Sequence, residues 1–282
     1  MISISINPEL CKHDAICVHV CPESVFIQRE GESVPVIVAL DLCISCGQCV
    51  AVCPGDAISH SDFSKGWIQD MEADMKPSYE QLMAILRYRR SQRHFTNKPV
   101  EKDVIHKIID AARYAPSALN SQSTKYLVIQ DILLLTGISE TTADVLKGII
   151  DKLRATQNEA DLVKDHSFNV ISHKIDEIRN SGDDIFLHNA STLLLFYADK
   201  NESMASINAN LAVQNALLAA EALGIGAFYT GFVFFAIRHD PEFKKMLKLP
   251  ENHEVYASVA LGYPQVKFRK WIERKPANII WR

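Results

Sequence analysis

The chain has little excess charge, no long apolar run and no cysteine beyond residue 53. Its 282 residues carry a formal net charge of −4, so the global basic field typical of nucleic-acid binding is missing. No apolar run approaches the ~18 residues of a membrane-spanning helix. The N-terminus lacks a basic segment followed by an apolar one, so it does not resemble a signal peptide. We therefore expect a cytoplasmic protein without a nucleic-acid or membrane partner.

The charge that is present is unevenly distributed. Residues 1–62 contain eight acidic and two basic side chains, a net charge of −6, and the remaining residues carry +2. Hydrophobic residues make up 48% of the chain and charged residues 23%, as in ordinary globular proteins. The length allows one or two domains, and the charge asymmetry predicts two units with different partners.

All seven cysteines lie in the first 53 residues. An odd number in a chain expected to be cytoplasmic argues against a disulfide framework. Cys43, Cys46, Cys49 and Cys53, followed by Pro54, match the bacterial C-x2-C-x2-C-x3-C-P pattern of iron–sulfur proteins. The spacing therefore predicts cluster ligation.

The same pattern occurs 32 residues earlier. Cys11, Cys17 and Cys21 precede Pro22, and Asp14 stands where the later copy has Cys46. The similarity extends outward, because Glu9-Leu10 matches Asp41-Leu42 and Val25-Phe26 matches Ala57-Ile58. The segment is an internal duplication of one half-domain.

Each half-domain is predicted to share its ligands with the other. Three closely spaced thiolates hold one cluster, and the cysteine before proline ligates the other cluster. One cluster would take Cys21, Cys43, Cys46 and Cys49. The other would take Cys11, Cys17, Cys53 and Asp14. Residues 1–62 resemble the bacterial two-cluster ferredoxins; a zinc site is the alternative, but structural zinc usually uses two paired knuckles.

Asp14 departs from the thiolate pattern. A carboxylate is a harder ligand than a thiolate and binds iron at that corner more weakly. We therefore expect either a [4Fe–4S] cluster with a labile iron or a [3Fe–4S] cluster at this site. A solvated Asp14 that ligates nothing is the alternative.

The part of the chain after the cysteines contains a helix that ends in a run of basic residues. Residues 63–79 are predicted to link a domain at 1–62 to one at 80–282. Ser78 and Gln81 form a capping-box pattern that predicts the helix start. The run 89–93, Arg-Arg-Ser-Gln-Arg, offers forked donors for a phosphate, although a solvated basic helix end is the simpler alternative.

Further motifs follow in a fixed order. An amphipathic helix at 104–112 leads into Tyr114-Ala-Pro-Ser-Ala-Leu-Asn-Ser-Gln122 and a strand at 126–129. Next come a buried strand at 189–197 and an apolar helix at 207–223. Three short motifs follow: Gly224-Ile-Gly-Ala-Phe-Tyr-Thr-Gly-Phe232, Val259-Ala-Leu-Gly-Tyr-Pro264 and Arg274-Lys275-Pro276. This ordered set resembles the FMN-dependent nitroreductase family. The resemblance implies an α+β flavin domain behind a small ferredoxin-like domain.

The resemblance also implies roles for particular residues. Arg93 would lie at the pyrimidine edge of FMN and stabilise the charge of the reduced flavin. Gly231, beside Thr230, would offer its backbone N–H to flavin N5, because glycine allows close approach. The FMN phosphate and ribityl chain would be held by Arg89, Arg90, Ser91, Arg274 and Lys275. The second subunit of an intertwined homodimer would contribute Pro116, Ser117 and Asn120.

Some positions depart from the family pattern, and two other features, a glycine pair and three histidines, are not assigned to the flavin site. The family often has Gln-Pro-Trp where this chain has Gln122-Ser123-Thr124, and often an acidic or aromatic residue at Thr230, so the family's substrate is not carried over. Gly224 and Gly226 follow a helix and lack the third glycine of a dinucleotide site. His166, His173 and His188 are interpreted as surface or lid residues of a polar, helical stretch at 140–188.

Together these features predict a redox enzyme. Clusters carry single electrons and flavins accept one or two, so the clusters would feed FMN, which would reduce a small organic acceptor by hydride transfer from N5. An external ferredoxin or another redox protein would be the electron donor. The alternative is a non-catalytic relay or redox sensor acting on a protein partner. The direction of electron flow and the use of NAD(P)H stay open.

The cluster assignment can be tested by metal analysis. Protein purified without oxygen is expected to contain about seven or eight iron atoms and matching sulfide per chain, because the duplicated pattern supplies ligands for two clusters. Elemental analysis and sulfide determination measure this. Zinc in place of iron would rule out the iron–sulfur interpretation.

Overall fold

The computed structural model describes residues 2–157, 166–181 and 184–282, and the chain divides into two compact units. The first unit comprises the residues up to 77 together with 119–121. The second unit comprises residues 78–118 and 122–282. Each unit has its own hydrophobic core.

The first unit consists of short elements around the cysteines. Its strands and helices are β1 (Ile4–Ile6), α1 (Ile16–Val20), β2 (Phe26–Ile27), β3 (Val36–Ile37), α2 (Gln48–Val52) and β4 (Ile58–His60). β1 pairs with β4 and β2 pairs with β3, both antiparallel. A small core forms around Val25, Phe26 and Ile58, with Cys17 and Cys49 packed into it.

The duplication seen in the sequence recurs in the backbone. The helices α1 and α2 lie 32 residues apart, and each is preceded by a residue in the left-handed conformation, Ala15 and Gly47. Two further pairs at the same spacing have positive φ: His13 with Ser45, and Ser24 with Asp56. Non-glycine residues rarely adopt this conformation. Its repetition shows that both halves use the same chain path around their cysteines.

The second unit contains a four-stranded sheet and seven helices among the described residues. In chain order they are α3 (Tyr79–Tyr88), α4 (Lys102–Arg113), β5 (Lys125–Ile129), α5 (Ile132–Thr156), α6 (His166–Ser181), β6 (Thr192–Asp199), α7 (Ala205–Ala222), β7 (Gly226–Tyr229), α8 (Gly231–His239), α9 (Pro241–Met246) and β8 (His253–Gly262). The strand order is β5-β6-β8-β7, antiparallel throughout. The α+β fold predicted from the sequence is confirmed.

The local signals in the sequence match the helix starts. Ser78 Oγ accepts a hydrogen bond from Gln81 N at 3.2 Å, and Gln81 Oε1 accepts one from Ser78 N at 2.8 Å. This is the expected capping box of α3. The helical stretch predicted at 140–188 contains most of α5 and all of α6, while 158–165 and 182–183 lie outside the described residues.

The sheet is buried on both faces, which explains the unbroken apolar run of β6. Leu193 and Leu195 face a core formed with α5 and α8. Leu194 and Phe196 face the opposite core, formed with α4 and α7. Side chains alternate across a strand, so a strand covered on both sides is apolar at every position.

Two glycines allow the segment 91–95 to pack at the edge of this sheet. Gly226 and Gly262 are directly opposite each other on β7 and β8. A Cβ on Gly262 would lie 2.7 Å from Phe95 Cδ1, and one on Gly226 would lie 3.1 Å from Phe95 Cε1. Phe95 is buried against them. Gly226 therefore serves packing, in agreement with the rejection of a dinucleotide motif.

No helix within the described ranges is long and apolar enough to cross a lipid bilayer.

Replacing Gly262 by alanine is expected to destabilise the protein by about 1–3 kcal/mol, because the new methyl group displaces the buried Phe95 ring. Thermal or urea unfolding measures this change. Gly148→Ala is the matched control: its Cβ meets no atom within 4 Å in the interior of α5. The Gly148→Ala substitution is expected to raise the free energy of unfolding by about 0.5–1 kcal/mol, because alanine favours a helix interior over glycine. Equal stability of the two variants would contradict the packing role of Gly262.

Candidate functional sites

Four cysteines of the first unit surround one small cavity. Cys21, Cys43, Cys46 and Cys49 all line it, together with apolar side chains such as Val25 and Phe26. These are the four thiols that the sequence assigned to one cluster. Cys21 comes from the first half-domain and the other three from the second, so the structure brings both halves of the duplication to this cavity.

The remaining thiols form a second group. Burial raises the pKa of the Cys17 thiol, and the nearby Cys11 and Cys53 raise it further. Burial likewise raises the pKa of Cys49 to about 11, with Cys46, Cys21 and Cys43 as its neighbours. The thiols thus lie in two groups, one of Cys21, Cys43, Cys46 and Cys49 and one of Cys11, Cys17 and Cys53. Which cluster each group ligates stays a prediction. Thiolate sets in apolar surroundings suit iron–sulfur clusters.

Asp14 lies with the second set of thiols in sequence but is exposed. Its Oδ1 accepts a hydrogen bond from Ile16 N at 3.2 Å, at the start of α1. Within the described residues, no three His, Cys, Asp or Glu side chains converge so that they could hold a single metal ion. Ligation by Asp14 stays a prediction.

A larger cavity, of about 720 Å³, lies in the second unit. Arg93, Thr230 and Gly231 line it, so three residues that the resemblance assigns to the flavin share one cavity. The remaining lining is mainly apolar: Val170, Ile171, Ile185, Phe186, Phe228, Phe232 and Phe235. An apolar cavity with a few fixed polar groups is the usual form of a cofactor site.

The backbone of segment 91–95 places Arg93 in this cavity. Ser91 forms a parallel bridge with Ala227 of β7, and Gln92 N donates to Ala227 O at 3.1 Å. The side chain of Gln92 is buried and donates to Val266 O at 2.9 Å. Neighbouring side chains of an extended segment point to opposite sides, so Arg93 faces the cavity. Its guanidinium lies 5.3 Å from the centre of the Phe228 ring, within cation–π range.

Gly231 opens α8 at the edge of the same cavity. The first amide groups of a helix have no partner within the helix and can donate to a ligand. A Cβ on Gly231 would meet no atom within 4 Å, so the space beside its backbone is open. Thr230 is buried instead, and its Oγ1 donates to Ser258 Oγ at 2.5 Å. The open backbone at Gly231 fits the close approach of a flat cofactor.

His188 is a cavity residue that sequence reasoning missed. The sequence predicts a surface or lid residue at this position. His188 is half-buried, and its ring centre lies 5.4 Å from that of Phe228. Burial is the main cause that lowers its pKa to about 4, helped by the positive charges of Lys174 and Arg93. No sequence motif marks it, because the preceding loop alone turns it into the cavity.

Asp184 holds that loop. Its carboxylate accepts hydrogen bonds from Ser139 Oγ at 2.5 Å and from the backbone nitrogens of Phe186, Leu187 and Asn189 at 2.9–3.2 Å. His188 and Asn189 both have positive φ within this turn. The carboxylate compensates for this unfavourable conformation, and the His188 ring is fixed in place.

The other predicted flavin residues lie elsewhere in the second unit. Arg90 lines a groove of about 850 Å³ beside the C-terminal tail, and its Nη2 donates to Lys270 O at 3.5 Å. Arg89 caps α3. In the described part of the chain, Arg274 and Lys275 are exposed and line neither this groove nor the Arg93 cavity.

The loop predicted to reach a second subunit is well connected within the chain. Ser117 Oγ accepts a hydrogen bond from Gln122 N at 2.9 Å, and Pro116 precedes it. Asn120 belongs to the first unit, where its amide donates to Ile44 O at 3.2 Å and to Ser45 O at 2.8 Å. Asn120 therefore supports the loop between Cys43 and Cys46. Its approach to a flavin stays a prediction.

Comparison with known families identifies both units. The nitroreductase family model matches residues 86–263, and the 4Fe-4S dicluster domain model matches residues 3–54. The chain belongs to the nitroreductase family. It adds an N-terminal 4Fe-4S dicluster domain to that family's domain, as the sequence motifs predicted.

Individual relatives agree with this division. The nitroreductase-family part is 29% identical over 194 residues to a 4-nitrobenzoate reductase of Pseudomonas putida, covering 64% of this chain and 84% of that protein. A ferredoxin of Hydrogenibacillus schlegelii described as 7Fe is 43% identical over 63 residues, 22% of this chain and 77% of that protein. A nitroreductase structure with bound FMN from Bacteroides fragilis has a TM-score of 0.55 at 22% identity, covering 71% of this chain and 99% of that chain, and shares the fold.

The His188 ring is expected to titrate near pH 4 rather than at its ordinary value of about 6.5. The unfolded chain takes up this proton below about pH 6.5 and the folded chain does not, so folding stability falls as the pH drops from there towards 4. NMR titration of the flavin-free protein measures the pKa. The variant His188→Gln should lose less thermal stability than the natural protein between pH 7 and pH 5. A His188 signal that titrates near 6.5 would contradict the assignment.

Proposed function

We propose that the chain is an FMN-dependent oxidoreductase in which the N-terminal iron–sulfur clusters feed electrons to the flavin. The acceptor is a small organic molecule such as a nitroaromatic, a quinone or an enone. The supporting observation is the cavity that brings Arg93, Thr230 and Gly231 together in a nitroreductase-family domain fused to a dicluster domain.

The lining of the cavity suits the flavin ring. When bound, FMN accepts electrons singly or in pairs and supplies hydride transfer from N5. Arg93 offers a fixed positive charge for the pyrimidine edge, which gains negative charge on reduction. Gly231 offers the first amide of α8 for N5, at a position where an amide has no acceptor within the helix. Phe232 and Phe235 give the lining apolar surface.

The FMN phosphate would be held where α3 ends. Arg89, Arg90 and Ser91 follow that helix directly, and Arg274 and Lys275 belong to the C-terminal tail. Contact between Arg90 and Lys270 O shows that the tail passes close to the end of α3. Forked guanidinium donors from this segment suit a phosphate dianion.

A homodimer completes the proposed site. The helix α3 has an apolar face yet buries no residue, with Leu82 47% and Tyr79 70% exposed. In the tail, Ile280 and Trp281 are also exposed. Large apolar side chains left exposed in one copy favour burial against a second copy. Pro116, Ser117 and Asn120 are the residues that would approach the flavin of the partner.

The two clusters would differ in iron content. Cys21, Cys43, Cys46 and Cys49 provide four thiolates for a [4Fe–4S] cluster. The other site has three thiols and the exposed Asp14, which supports a [3Fe–4S] cluster or a cubane with a labile iron. The 7Fe description of the Hydrogenibacillus schlegelii ferredoxin favours the three-iron form.

Electron supply by the clusters can be tested in the full chain with Cys49→Ser. Loss of this buried thiolate is expected to abolish turnover driven by a reduced external ferredoxin while FMN stays bound, because only the first unit is altered. Acceptor reduction is measured with ferredoxin and, separately, after photochemical reduction of the flavin, which bypasses the clusters.

Two controls make this result decisive. Ser59→Ala changes an exposed residue of β4 in the same unit and should keep ferredoxin-driven turnover. If Cys49→Ser works as well as the natural protein with ferredoxin, the clusters do not feed the flavin. If the natural protein reduces no acceptor faster than free FMN does, the chain is a relay or sensor and not an enzyme.

A further inference from the structure

His60 lies at one of the two cluster sites and has no counterpart at the other. It ends β4, is only 6% exposed, and lines the cavity of Cys21, Cys43, Cys46 and Cys49. A buried histidine beside four thiols is either a neutral packing residue or a hydrogen-bond donor to sulfur. The contacts of its two ring nitrogens distinguish these possibilities.

A hydrogen bond from the backbone determines which ring nitrogen of His60 carries the proton. Nδ1 of His60 accepts a hydrogen bond from Asp62 N at 3.1 Å. Only an unprotonated ring nitrogen accepts, so the proton of the neutral imidazole is on Nε2. Nε2 lies 3.5 Å from Cys43 Sγ. The Nε2–H group therefore donates to the Cys43 sulfur.

Neighbouring contacts hold this donor in position. The His60 ring packs on Phe63, with ring centres 4.7 Å apart. Phe63 in turn contacts the backbone at Gly47, where a Cβ would lie 3.3 Å from its ring. Asp62 Oδ2 accepts from Ser45 Oγ at 2.6 Å, so the segment 60–63 is bound to the cysteine loop at several points. The hydrogen bond to sulfur is thus formed without further reorganisation.

The first half-domain has a different arrangement at the corresponding position. The residue 32 positions before His60 is Gln28, whose amide donates to the carbonyls of Arg29 and Glu32. The backbone donors to sulfur do repeat, from Val25 N to Cys21 and from Ala57 N to Cys53, both at 3.3 Å. In the described residues, His60 is the side-chain donor that breaks this symmetry.

We propose that His60 is a positioning residue that raises the reduction potential of the Cys21–Cys43–Cys46–Cys49 cluster through its hydrogen bond to Cys43. A donor to a cluster sulfur stabilises the additional negative charge of the reduced cluster, and hydrogen bonds of this kind set cluster potentials. Among the described residues, no side chain donates to a sulfur atom of Cys11, Cys17 or Cys53. This inference rests on the proposed cluster ligands but not on the flavin chemistry.

The test is a redox titration of full-length, anaerobically prepared His60→Phe, followed by electron paramagnetic resonance. Phenylalanine keeps a ring against Phe63 and removes both nitrogens. The potential of the Cys43-containing cluster is expected to become more negative, while that of the other cluster is unchanged. The second cluster is an internal reference, because a general loss of structure would shift both.

Two further variants complete the experiment. Asp14→Cys changes the signal of the other cluster and so identifies which signal belongs to which site. Gln28→Leu, at the equivalent position, should leave both potentials unchanged. His60→Leu repeats the loss of the donor with a smaller side chain in case the larger ring disturbs the cluster.

Three results would overturn the proposal: an unchanged or more positive potential for the Cys43-containing cluster, an equal shift of both clusters, or loss of that cluster's iron in both His60 variants. Iron and sulfide analysis of each variant precedes the titration. A natural protein without iron would refute the cluster assignment itself. Absence of acceptor turnover would refute the enzymatic function and leave the measured potentials unaffected.

Discussion

The packing of Phe95 on two glycine backbones is the contact on which the flavin-domain site depends. Gly226 and Gly262 face each other across β7 and β8, and the ring closes over both. The segment that carries Arg93 is thereby fixed along the edge of the sheet, beside the strand that leads to Gly231. A side chain at Gly262 would meet the Phe95 ring, and one at Gly226 would meet Gln92 first, so both glycines make room for the segment that carries Arg93. The sheet is stabilised by burial, because helices pack against both faces of β6.

The first unit depends on a different constraint, a backbone held in the left-handed conformation at repeated positions. These positions recur at a spacing of 32 residues, and Cys21, Cys43, Cys46 and Cys49 of the two loops line one cavity. Because the two halves follow the same path, their few differences stand out. Asp14 stands in one half where the other has Cys46, and His60 lies in the other half with its Nε2 3.5 Å from Cys43 Sγ. A duplicated scaffold can therefore hold two redox centres with unlike properties.

Much of this could be predicted from the sequence because the signals are local. The capping box at Ser78, the apolar run of β6 and the cysteine spacing are all patterns of neighbouring residues. His188 could not be found in this way, since a loop held by Asp184 places it against Phe228. Its depressed pKa depends on burial and on cations from distant segments. The roles of Gly226 and Gly262 were likewise hidden, because the atoms they make room for belong to Gln92 and Phe95, more than 100 residues earlier in the chain.

The sequence by itself determined that this chain joins a dicluster domain to a nitroreductase-family domain, and where the main helices and strands lie. Those properties follow from periodicity and from ligand spacing, which act over a few residues. The tertiary structure decided which side chains share the cavity with Arg93 and which nitrogen of His60 carries its proton. Those properties depend on contacts between residues far apart in the chain, or on hydrogen-bond geometry that a list of residues does not contain.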